Sequence, residues 1–96
     1  MLVEWSPHAA DEYIDLVGYL LDEWGEKITK KFIDRLQFVI NNISERPEVY
    51  PATGKRKNVR RCVISKQTSL YYRIREDKIE LISFFDTRQN PVKRKF

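Results

Sequence analysis

Histidine, cysteine and glycine are scarce in this chain: one His, one Cys and three Gly among 96 residues. Cys62 alone can form no intramolecular disulfide and supplies no cysteine-based zinc site. Its mid-strand position is that of a small buried hydrophobe. His8 has no second His or Cys to make a metal site, so solvent or packing is its expected role. Gly18, Gly25 and Gly54 are scattered, which excludes a glycine-rich phosphate loop. No apolar run approaches the ~18 residues that a membrane span needs. Glu4 stands where a signal peptide would carry basic and apolar residues. These absences set the expectation of a cytoplasmic protein with no metal and no cofactor, folded as one domain over residues 1–96.

Acidic residues are scarce only in the second half. Residues 1–54 carry 10 Asp/Glu against 5 Lys/Arg, whereas residues 55–96 carry 4 against 13. Protein surfaces usually intersperse the two signs, so this division points to a basic face for phosphate backbones or an acidic protein segment.

The pattern of apolar residues gives the elements. Leu2, Val3 and Trp5 form a short strand. Ser6-Pro7 marks a helix start, a capping hydroxyl before a proline preset for the first helical position. Asp11 and Glu12 sit in the early turns, where the helix dipole favours anions. Apolar residues at 10, 13, 14, 17, 20, 21 and 24 follow helical spacing, which assigns Trp24, with Trp5, to the core. Gly25 closes this helix, and Gly18 within it would allow close approach of the next. A second helix runs from about Glu26 to Ser44 and stops at Arg46-Pro47. Helices joined by so short a turn form an antiparallel hairpin.

A polar, basic loop over 51–58 leads to three strand-like runs, Val59 to Ser65, Ser69 to Arg75 and Ile79 to Asp86. Leu70, Tyr72 and Ile74 alternate with Tyr71, Arg73 and Arg75, as in a half-buried antiparallel strand. The order β-α-α-β-β-β predicts an α+β fold with a helical hairpin on one face of an antiparallel sheet.

The remaining chemistry is cationic. Lys55, Arg56 and Lys57 lie in the loop. Strand alternation sends Arg60 and Arg61 to opposite faces, so only one of them joins the outward side of the sheet. Arg73 and Arg75 share a face, with Tyr71 interleaved. Arg88 follows the last strand, with Asp86 placed to orient it. Arginine's planar fork suits phosphate recognition.

The opening Val3-Glu4-Trp5-Ser6-Pro7-His8-Ala9-Ala10, then Tyr19-Leu20-Leu21 and Trp24-Gly25, resembles the start of RelE/ParE toxins of bacterial type II toxin–antitoxin modules. Pro47, Val59-Arg60 and Leu70-Tyr71-Tyr72-Arg73-Ile74 continue the resemblance. The closing Ile79-Glu80-Leu81-Ile82-Ser83-Phe84-Phe85-Asp86-Thr87-Arg88-Gln89-Asn90-Pro91 is similar to the last strand and following turn of one branch. The resemblance implies a toxin that arrests growth and is neutralised by a bound antitoxin, as on a stabilised plasmid. RelE-like members cut messenger RNA in the ribosome; ParE-like members poison DNA gyrase without hydrolytic residues.

Lys55, Lys57, Arg60 and Arg88 match the cationic part of the ribonuclease pattern, with Asp86 where many members carry a histidine. No Tyr or His follows Tyr72. RNA cleavage requires groups that take up and deliver protons, and arginine is a poor shuttle near neutral pH. The expected site is thus Arg60, Arg88 and Asp86 as catalytic candidates. Lys55, Arg56, Lys57, Arg61, Tyr71, Arg73 and Arg75 are the candidates for RNA or target binding. Either target, ribosome with messenger or gyrase, stays open, as do a non-catalytic RNA-binding domain and a degenerate toxin fold kept as a binding partner.

Overall fold

The computed structural model describes residues 1–54, 56 and 58–89. The chain runs β1 (Leu2–Trp5), α1 (Pro7–Glu45), β2 (Val59–Val63), β3 (Thr68–Arg75) and β4 (Lys78–Asp86). Ser6 starts α1: its backbone is extended and its Oγ accepts from the Ala9 N–H at 3.0 Å, with Pro7 as the first helical residue. Lys55, Lys57 and residues 90–96 lie outside the described residues.

α1 is a doubled-back pair of segments. A straight helix of its 39 residues would be about 58 Å long, but the longest extent of the Cα trace is 38 Å. The break is Gly25, at φ 86° and ψ 173°, a conformation that side chains with a Cβ avoid. The end of α1 returns to the start of the chain. There the Met1 ammonium donates to the Ser44 carbonyl at 3.0 Å and Ser44 Oγ donates to the Met1 carbonyl at 2.8 Å. The expected helical hairpin, turning at Trp24-Gly25, is therefore the arrangement found.

The sheet has the order β1-β4-β3-β2. β2, β3 and β4 form the antiparallel meander, but β1 pairs with β4 in parallel, Leu2 opposite Lys78 and Trp5 opposite Leu81. The sheet is mixed, where an antiparallel one was expected. No tight turn links β1 to a neighbour, and the crossover through α1 supplies the long connection that parallel pairing needs.

Between β3 and β4 the register slips. Tyr71 faces Ser83 while Tyr72 faces Leu81, leaving Ile82 as the extra residue of a bulge. The start of α1 bonds to β4 around this slip. Ser6 Oγ donates to the Ile82 carbonyl at 3.1 Å, and the Ser6 N–H donates to the Leu81 carbonyl at 3.0 Å. Glu12 Oε1 accepts from both the Phe84 N–H and Ser83 Oγ at 2.9 Å.

The core joins Ala9, Leu16, Leu20, Phe32, Leu36, Val39 and Ile43 of α1 to Leu70, Tyr72, Ile79, Leu81 and Phe84 of the sheet. Not all of the apolar stripe read from the sequence faces inward. Ile14, Leu21 and Trp24 are 65%, 45% and 50% exposed, and Trp5 is 38% exposed. The segment meets the sheet over one arc only, along Ala9, Leu16 and Leu20, and these three α1 positions are rotated out of it. Gly18 has no neighbour within 4 Å of where a Cβ would sit, so it does not receive the second helical segment.

Candidate functional site

β4 ends at Asp86, opposite Thr68 at the start of β3. The Asp86 side chain is fully inaccessible and that of Arg88 is 17% exposed. Asp86 accepts hydrogen bonds from Thr68 Oγ1, from the Arg88 N–H at 2.8 Å, from Arg88 Nε at 3.1 Å and from Arg88 Nη2 at 2.9 Å. Burial by itself would raise the Asp86 pKa. The hydrogen bonds from Arg88 and Thr68 outweigh it and hold the carboxyl below its ordinary value. Asp86 is thus a charged clamp that fixes the guanidinium, and its proton-accepting capacity is already occupied.

The other side of Arg88 is closed by the reversal in α1. The guanidinium carbon lies 5.6 Å from the centroid of the Trp24 ring, within cation–π range. Trp24 Nε1 donates to Tyr19 Oη at 3.4 Å, and Tyr19 Oη donates to the Arg88 carbonyl at 3.0 Å. Sequence reading assigned Trp24 to the core and gave Tyr19 no role. The signal for both was weak: two large aromatics beside a helix-ending glycine.

Arg60 does different work. Its Nη1 donates to the Tyr50 carbonyl at 2.7 Å and to the Glu48 carbonyl at 3.4 Å, and its Nη2 lies 3.9 Å from Glu48 Oε2. It fastens segment 48–53 along the outer edge of β2, where Ala52 bridges to Arg60 and the Arg61 N–H donates to the Pro51 carbonyl at 3.1 Å. Opposite Arg60, Tyr72 donates to the Pro47 carbonyl at 2.7 Å. Burial pushes the Tyr72 pKa up to about 12. Arg60 and Arg88 do not converge. Tyr72 faces Arg60 and Thr68 faces Asp86, and four residues of strand separate them, about 13 Å.

Arg61 falls on the opposite face, across from Tyr71, as alternation requires. There a groove of about 700 Å³ is lined by Tyr50, Pro51, Ala52, Val59, Val63, Tyr71 and Ile82, and by the cations Arg56 and Arg61. Arg61 Nε donates to Ser69 Oγ at 3.1 Å. Arg73 shares the face but is tied to Glu80 at 2.6 Å, and Arg75 is exposed at the far end, opposite Lys78. Cys62 is buried, and burial raises its pKa above the ordinary thiol value. His8 is exposed and lies 3.2 Å from Glu12. Among the described residues, no three His, Cys, Asp or Glu side chains gather where they could hold a metal ion.

A model of the family described as "ParE toxin of type II toxin-antitoxin system, parDE" matches residues 3–91. The chain belongs to the ParE toxin family. No curated protein matches its sequence. Its fold is similar to that of a chain from the chromosomal ParDE toxin–antitoxin system of P. aeruginosa, with a TM-score of 0.75, 12% identity, and 90% of this chain and 95% of that one covered. A YoeB/ParE toxin from Agrobacterium tumefaciens aligns at a TM-score of 0.66 and 14% identity, over 90% of this chain and 98% of that one. YoeB from Staphylococcus aureus, solved as a dimer, aligns at 0.62 and 13%, over 88% and 94%. Across such distant sequences the likeness is one of fold. The Asp86–Arg88 clamp and the groove behind β2 are features of this ParE-family chain's own residues.

Proposed function

We propose that this type II toxin arrests growth by binding and poisoning DNA gyrase rather than by cutting RNA, and that a cognate antitoxin neutralises it. The observation carrying this reading is the state of Asp86. It is the only proton-accepting candidate that the sequence places beside Arg88, and its carboxylate is buried and taken by four donors. Cleavage by 2′-OH attack needs a group free to accept a proton and another to deliver one. Arg60, the second catalytic candidate, is committed to the backbone of Tyr50 and Glu48. A gyrase poison needs a shaped surface and no proton shuttle. The family model, which is that of ParE, supports the same branch.

In this reading Arg88 is a fixed element of the binding surface, and Asp86, Thr68 and the Trp24 ring position it. Arg56, Arg61, Tyr71, Arg73 and Arg75 contribute to the basic face, while Lys55 and Lys57 lie outside the described residues. The test is induction in growing bacteria, with primer extension on a translated message and a parallel assay for gyrase-linked DNA breaks. The expected result is DNA breaks with intact messages, abolished by Arg88→Ala. Cuts within codons that vanish in Arg61→Ala or Arg88→Ala would overturn the proposal in favour of ribosome-dependent cleavage.

A further inference from the structure

The first segment of α1, residues 7–24, carries an apolar line that the fold leaves largely exposed. Val17 holds its edge toward the core, and its last residue, Trp24, carries Arg88 on one side. Ile14, Leu21 and Trp24 are among the large exposed hydrophobics, and Val17 between them is half-buried. Their spacing alternates three and four residues, so at about 100° per residue the four fall within an arc of about 80°. Beside this line runs a second one, Asp11, Asp15 and Asp22, within the next arc of the helix surface. Gly18 lies between the two, with nothing within 4 Å of a Cβ built on it. The segment holds five carboxylates, Asp11, Glu12, Asp15, Asp22 and Glu23, and no Lys or Arg.

We infer that this face docks an amphipathic helix of another protein, one that presents apolar residues at heptad spacing and Lys or Arg along one flank. The apolar line offers a seam for packing, Gly18 lets a partner backbone come close, and the acidic line selects the sign of the flank. Charge complementarity chooses this occupant over the others. A second copy of the chain would set carboxylates against carboxylates, with no cation in either segment to relieve them. A nucleic acid would be repelled. The basic sheet face and this acidic helical face therefore serve different partners, and the inference holds whichever target the toxin has.

The test uses the full-length chain with Trp5→Phe, which leaves Trp24 as the reporter indole. It is titrated with a designed 21-residue helical peptide bearing Leu along one seam and Lys on one flank. Control peptides carry Glu on that flank, or Ser in place of Leu. The Lys-flanked peptide is expected to shift Trp24 emission to the blue and to bind roughly tenfold more tightly than the Glu-flanked one at low salt. Leu21→Asp should abolish binding, with the circular dichroism of the chain unchanged, since Leu21 is exposed. A paired Asp15→Lys and Asp22→Lys variant should reverse the preference between the two peptides. Equal affinity for the two flanks, binding that survives Leu21→Asp, or no emission shift would overturn the inference. So would sedimentation showing that the free chain dimerises through this face and that Leu21→Asp dissolves the dimer. None of these readings involves gyrase or RNA, so the docking face and the gyrase proposal fail separately.

Discussion

Asp86 and Arg88, two residues apart, are joined three times over. The aspartate accepts from the arginine's backbone N–H at 2.8 Å, its Nε at 3.1 Å and its Nη2 at 2.9 Å. A carboxylate fully out of solvent with its partner 17% exposed is costly to leave without that partner. Arg88→Ala should therefore destabilise the fold by about 3 kcal/mol in chemical denaturation, whereas the isosteric Asp86→Asn should cost less while freeing the guanidinium to move.

The same pair sets an acid limb. The folded-state pKa of Asp86 is depressed, so its contribution is fully present above the ordinary carboxylate pKa. It is lost as pH falls through the lower folded-state value. Stability measured between pH 6 and pH 2 should fall less steeply in Asp86→Asn than in the parent chain. Parallel curves would show that other carboxylates set the limb.

At the alkaline end the group is Tyr72. Burial raises its pKa from the ordinary 10.0 to about 12, so its contribution is intact below the ordinary value and drains away as pH climbs from there to about 12. Spectrophotometric titration should find tyrosine ionisation extending up to about pH 12. Tyr72→Phe should remove its late end and cost about 1 kcal/mol, the hydrogen bond to Pro47 being lost.

Gly25 carries the reversal of α1 at φ 86°. Its Cβ would meet nothing within 4 Å, so a substitution there tests backbone conformation alone. Gly25→Ala should destabilise by about 1–3 kcal/mol without loss of core packing. A neutral result in thermal denaturation would mean that the reversal tolerates another geometry.

Glu12 supports the bulge in β4. Glu12→Ala strands the Phe84 N–H and Ser83 hydroxyl that it accepts, at a cost of about 1–3 kcal/mol. Hydrogen exchange at Phe84 should accelerate by more than at Ile79, which lies beyond the slip.

The elements were legible in the sequence because each is written locally. Ser6-Pro7, Gly25, Arg46-Pro47 and the alternation around Leu70 and Tyr72 each act within a few residues, and the structure follows them closely. What could not be read was set by distant pairings. The parallel union of β1 with β4 spans the whole chain, so no local signal favoured it over an antiparallel edge. The inward arc of α1 depends on the sheet's placement, which is why Ile14, Leu21 and Trp24 were assigned to the wrong side. At the site, period two required that only one of Arg60 and Arg61 share the outward face with Tyr71; that it is Arg61 is set by the register of β2 on β3. The commitment of Arg60 to the 48–53 segment could not be read, because it depends on where a loop without regular period lies. Asp86 was foreseen as the residue that orients Arg88. That Thr68 also bonds to it, out of solvent, needed coordinates.

The pairing of β1 with β4 also bears on how the molecule is made. Leu2 finds its partner only when Lys78 exists, and Trp5 only when Leu81 does. During synthesis the first strand and the helical hairpin emerge long before the strand on which β1 must lie. A chain interrupted before β4 has no seat for its own beginning and no Asp86 or Arg88. The topology thus withholds the finished surface until β4 has been made.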